Sequence, residues 1–196
     1  MATTQNTASN VSMGKPKVGG AIFVAPLGTT LPANATANLN SGFENVGYIS
    51  EEGLVNANSP ETEEKKAWGG DTVKNVQTGK PDNFTFTMLE ALNTTSLGVV
   101  YGADNVTGDL ASGIIVKANS KYIGERPFVV DMVLNENTLK RIVIPRGQLI
   151  EVGEVSYVDN ELIGYKVTIS AHPDSSIDYD THREYIQTAP TSSSGS

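Results

Sequence analysis

A chain of 196 residues with a formal net charge of −8 has room for one substantial core or two small domains. Charged residues make up 18% and hydrophobic residues 38%, and 19 Gly and 9 Pro supply many turns, a balance that suits a β-rich domain. Cysteine is absent, which excludes a disulfide framework and thiolate metal sites, and two histidines, His172 and His182, leave little for a catalytic or metal centre.

Residues 1–110 hold 11 acids and 6 bases, residues 111–196 hold 11 and 8, so neither half is basic. A nucleic-acid-gripping protein clusters Lys and Arg to displace counterions, and no such cluster occurs. No apolar run approaches the ~20 residues of a membrane helix. The opening MATTQNTASN has neither a basic n-region nor an apolar h-region, and synthesis in a cytoplasm is expected.

In chain order, residues 1–18 read as a flexible arm rich in Thr, Asn and Ser. GAIFVAPLG (20–28) is a short strand closed by Pro26 and Gly28, residues 29–42 are loop, and VGYISEEGL (46–54) is a second strand. Residues 56–81 form a long polar connection. Ser59, Pro60 and Glu61 have the form of a helix start, but the following apolar positions are too sparse to anchor one, and the alternative is a charged, extended loop. Connections of this length are usually functional or disordered. NFTFTM (83–88) alternates Phe84, Phe86 and Met88 with Thr85 and Thr87, a strand with one packed face. LEALNTTSLGVVYG (89–102) is the best helix candidate, ending at Gly102.

From residue 112 onward strands are expected at 113–118, 126–135, 140–145, 148–158 and 162–171, the last two joined by a hairpin-type turn at Asp159-Asn160. Within 126–135, Phe128, Val130, Met132 and Leu134 share one face, and Val129, Asp131 and Val133 the other. Residues 175–196 read as a solvated tail. The sum is a mainly β antiparallel sandwich or barrel of about seven or eight strands with one flanking helix.

Chemistry-bearing patterns are weak. GKPKVGG (14–20) lacks the Gly-Lys-Ser/Thr ending of a phosphate loop. DSSIDYD (174–180) spaces three acids as a calcium loop does, without the central Gly and distal Glu. No Gly-x-Ser-x-Gly elbow accompanies the histidines, so no enzyme is expected, and no cofactor. Trp68, the one Trp, lies in AWGGD, where it is either an anchor of the fold or an interface residue.

Three segments carry a resemblance: 19–54, with an Ala-Pro-x-Gly-Thr-x-x-Pro turn and a later Gly-Tyr-Ile-Ser-Glu-x-Gly strand; 67–102, coupling a Trp-containing strand to the Phe-x-Phe strand, a Leu-Glu helix start and a Val-Val-Tyr-Gly helix end; and 141–174. In order and spacing they resemble the tail tube, or major tail, proteins of long-tailed bacteriophages with non-contractile tails. The resemblance implies a tube-type β-sandwich domain over 19–174, with the arm and tail outside it. It implies hexameric rings stacked into a hollow tube in the virion tail, and partnership with tape measure, tail terminator and tail tip proteins. Viral double-stranded DNA is expected to pass through the bore without specific binding, and no membrane is involved. The extra immunoglobulin-like domain of some members is expected to be absent. Rival readings are a decoration or baseplate protein of related fold, or a carbohydrate-binding module.

On that reading the Thr85 and Thr87 face lines water in the bore. Glu151 and Glu154, from an acidic run without an intervening base, are candidates for the same surface, where mild negativity repels DNA over a Debye length of ~8–10 Å. The 56–81 connection is the stacking loop, with Glu61, Glu63, Glu64, Lys65, Lys66 and Trp68 as contacts to neighbouring copies.

Overall fold

The computed structural model describes residues 6–135 and 137–190; the beginning of the expected arm (1–5) and the end of the expected tail (191–196) lie outside the described residues. In chain order the strands are β1 (Lys15–Pro16), β2 (Ile22–Val24), β3 (Glu44–Asn45), β4 (Ile49–Ala57), β5 (Glu61–Lys66), β6 (Thr72–Gly79), β7 (Asn83–Met88), β8 (Val106–Thr107), β9 (Ile115–Val116), β10 (Arg126–Asn135), β11 (Thr138–Val152), β12 (Tyr165–Ala171) and β13 (Arg183–Thr188). Among the described residues the one α-helix, α1, spans Thr94–Tyr101. The protein is mainly β and every strand pairing is antiparallel.

Nine strands form one sheet in the order β3-β2-β10-β11-β12-β7-β4, with β1 also beside β10 and β13 beside β11. The alternation in NFTFTM is realised as buried Phe84, Phe86 and Met88 against half-buried Thr85 and Thr87. These three join Ile22, Val24, Phe128, Val130, Ile142, Ile144, Val167 and Ile169 in one cluster. Side chains from both ends of the sheet therefore meet, and the sheet curls around its own core. Helix α1 closes the cluster with Leu97, Val99 and Val100, and its buried Ser96 hydroxyl donates to the Val46 carbonyl.

Both faces of β10 are packed. Val129 turns away from the main core into a smaller cluster with Ala25, Phe43 and Val143, covered by Leu31 and Leu39 of the loop before β3. On this face Asp131 lies opposite Arg141 in the register. The Arg141 guanidinium, 2% exposed, donates Nε and Nη2 to the Asp131 carboxylate at 2.6 and 2.8 Å. Its Nη1 donates to the Asn34 and Ala37 carbonyls at 2.9 and 2.7 Å. One buried ion pair thus ties the covering loop to the sheet.

Strand β11 is a single element where two strands were expected, and it runs through Pro145. A central strand excludes proline because its nitrogen cannot donate to a ladder. Here β13 pairs with Thr138–Val143 and β12 with Gly147–Val152. On the β10 side the register shifts between the Phe128–Ile144 and Arg126–Gly147 rungs. No rung of the three ladders falls on residue 145.

Four further expectations change. The helix starts at Thr94 rather than Leu89: Asn93 is its cap, accepting from the Thr95 N–H at 2.9 Å, and Glu90 is drawn aside to accept from the Tyr48 N–H and the Asn93 amide. The arm is fastened at its end, where β1 pairs with Met132 and Val133. The tail contains β13, seated on β11. The 56–81 connection is neither helix nor irregular loop but the β5–β6 hairpin.

Candidate assembly surfaces

The β5–β6 hairpin stands apart from the sheet: its two strands pair only with each other. Its turn is closed by the Ala67 N–H bonding the Asp71 carbonyl at 2.8 Å, and Gly69 and Gly70 take the positive φ values, 116° and 97°, that the turn demands. Every residue of β5 is exposed. Glu63 and Lys65 pair at 2.6 Å, and Thr72 donates to Glu64 at 3.2 Å. Exposed pairs of this kind contribute ~0–1 kcal/mol each, and an isolated two-stranded hairpin is marginal in water. Trp68 sits at the tip with its side chain fully exposed. Of the two roles open to it from the sequence, anchoring the fold is the one this placement removes. Glu61, Glu63, Glu64, Lys65, Lys66 and Trp68 are thus brought together on one projecting element.

Thr85 and Glu151 also come together. The registers set Val55, Thr85, Thr168 and Glu151 in one row across β4, β7, β12 and β11. Hydroxyls of Thr85 and Thr168 bond at 3.0 Å, and Thr168 reaches Glu151 at 3.5 Å. Thr87 lies in the neighbouring row, opposite Lys166. This outer face is mild and polar, as the Thr alternation implies. Glu154 is not on it, lying in the exposed loop past the end of β11.

Free strand edges complete the inventory. β3 and β4 end the sheet, and β1 and β13 each have one partner. Such edges present unpaired N–H and C=O groups and are templates for another chain.

Both histidines are structural struts. His182 Nδ1 and the Thr181 hydroxyl each lie 2.5 Å from Asp82 Oδ2, and the Asn56 amide donates to Oδ1 at 2.8 Å. Burial pushes the Asp82 carboxyl up, but the bonds from Thr181, Asn56 and His182 outweigh it and hold the group below its ordinary value. His172 Nδ1 meets Glu125 at 2.7 Å, and Arg146 forks onto the same carboxylate. The His172 bond, then Arg146, lowers Glu125 against a burial penalty. Neither cluster contains a serine.

The acidic 174–180 segment is occupied internally: Asp174 caps the Ser176 N–H at 2.7 Å, and Arg183 donates to Asp178 and Asp180 at 2.5 and 2.8 Å. Among the described residues no group of His, Cys, Asp and Glu could hold a metal ion. In the 14–20 segment Lys15 and Pro16 pair with β10, residues 18–19 turn, and strand β2 rather than a helix follows, so it lacks the helix N-terminus of a phosphate cradle.

A protein-family model described as phage tail tube protein matches residues 12–187. Among solved structures, the chain is similar to the tube-terminating cap of the anti-feeding prophage, with 14% identity, a TM-score of 0.39, and coverage of 93% of this chain and 98% of that one. No curated protein matches significantly.

Proposed function

The chain belongs to the phage tail tube protein family, a structural tail protein, and we propose that its copies close into hexameric rings that stack into the hollow tube conducting the viral genome. The observation that carries the stacking is the free-standing β5–β6 hairpin, which buries nothing in its own chain and ends in an exposed Trp68. An element of marginal stability with an aromatic tip is explained by a surface it meets elsewhere.

Ring closure uses the free edges of β4 and β13, where main-chain pairing with a neighbour removes a template for uncontrolled aggregation. The Thr85, Thr87 and Glu151 face, with Glu154 beside it, is the bore wall. It offers hydroxyls rather than clustered bases, so phosphates find little to neutralise and DNA slides without adhesion. Tape measure, tail terminator and tail tip proteins are the partners that such a tube requires, in the virion of a phage with a non-contractile tail. The role is non-enzymatic.

Electron microscopy tests the reading. The purified protein, concentrated alone or seeded with tail tips, is expected to give long hollow filaments. Replacing residues 59–80 by a short turn is expected to stop growth at single rings or monomers. Discrete globular particles from the parent protein at every concentration would refute the tube.

A further inference from the structure

The hairpin has a knob but no socket in its own chain, and a socket exists. A groove of about 730 Å³ opens between β1–β2 and the start of β4, with Ala21, Ile22, Ile49, Leu54, Val130 and Met132 among its apolar lining. It exists because β4 arches: between its Ile49–Met88 and Leu54–Phe86 rungs, residues 50–53 stand opposite Thr87 alone. The buried Ser50 hydroxyl in the arch has no hydrogen-bond partner among the described residues. Tyr48, Lys17, Glu51 and Glu90 also line the groove.

Resting on the stacking role given to the hairpin, we propose that this groove receives Trp68 from a second copy of the chain. Three observations point to that occupant. Trp68 is fully exposed, so the groove is not filled from within. The charges match: Glu51 beside the groove faces a tip bearing Lys66 and Lys74, none of the three in an ion pair among the described residues. Position is the third. The hairpin leaves the sheet after the Ala57–Asn83 rung, whereas the groove borders the Ile49–Met88 rung at the other end of the same ladder. A knob and a socket at opposite ends of one strand pair make a head-to-tail contact. Such a heterologous interface closes into a ring or runs on as an open stack according to its rotation, and a tube of stacked rings takes the second course.

The absence of native cysteine makes cross-linking a clean test. Ala67→Cys protein, which keeps Trp68 beside an exposed cysteine, is mixed with Tyr48→Cys protein and oxidised across concentrations up to the solubility limit. The control replaces Tyr48→Cys by Leu162→Cys, since Tyr48 and Leu162 are equally exposed at 77%. A mixed disulfide at least on the order of tenfold above the control is expected, as docking raises effective concentration. In parallel, Trp68→Ala, which disturbs no internal contact, is expected to raise the concentration needed for filaments ~30-fold, the lower limit for a hot-spot aromatic. Equal cross-linking to Leu162→Cys, no cross-link at any concentration, or Trp68→Ala filaments at parental concentration overturns the groove seat. The stacking role of the hairpin is judged separately: it falls if filaments persist when residues 59–80 are replaced by a short turn.

Discussion

Arg141→Ala is the perturbation whose cost the structure fixes best. The substitution removes a guanidinium that is 2% exposed and leaves Asp131, itself buried, facing an empty space. Breaking a buried pair from one side costs ~3–5 kcal/mol, because the remaining charge stays desolvated. Lys17 Nζ, 3.7 Å from Asp131, offsets part of this. The freed Asn34 and Ala37 carbonyls are near the surface and take up water. A net loss of about 4 kcal/mol follows. With a urea slope of roughly 2.5 kcal/mol per molar, within the range for domains of this size, the unfolding midpoint falls by ~1.5 M. The assay is urea unfolding followed by far-ultraviolet circular dichroism. Arg141→Met with Asp131→Leu is expected to recover most of the loss, since a volume-matched apolar pair replaces a buried ion pair at little cost. A loss for Arg141→Ala below ~1 kcal/mol would place the pair with exposed salt bridges and refute the reasoning.

Other outcomes follow from the same geometry. Asp82 has a folded-state carboxyl held below its ordinary value, so its contribution is full above the unfolded value near pH 4 and is lost as pH falls through the folded one. Thr181→Val and Asn56→Ala are each therefore expected to cost about 1.5–3 kcal/mol at pH 7, one bond to a charged group apiece, and the gap to the parent should narrow in urea titrations at pH 3. Amide exchange of residues 61–79 is expected to be fast in the free protein and slowed in filaments; equal protection in both states removes the hairpin from the interface. Glu151→Lys with Glu154→Lys is expected to retard DNA release from assembled virions, and unchanged release takes those two residues out of the bore.

How far the sequence is legible depends on whether burial alternates. Strand β10 spans the residues read from its pattern, because Phe128 and Val130 face one core and Val129 the other. NFTFTM is equally plain. Strand β13 is not, since REYIQT packs little of itself into a core and gains its order from main-chain pairing along β11. The hairpin is missed for the same reason: β5 has no buried residue to create a period, and Ser59-Pro60-Glu61 imitates a helix cap. The helix start is displaced because Glu90 bonds a loop 42 residues away in sequence, a tertiary event that no local rule contains. The sequence leaves Trp68 between anchor and interface, and only the hairpin places it in solvent; the groove near Tyr48 depends on an arch that only the β4–β7 register discloses.

Pro145 has a consequence of its own. Were β12 to slide two residues further along β11, or β13 to advance toward Gly147, a rung would land where no amide hydrogen exists. The imino ring thus acts as punctuation between two neighbours competing for one backbone, and a slide of either along it is halted at that point. Replacing this buried residue with one that carries an amide hydrogen would remove that stop and make the fold less certain of itself.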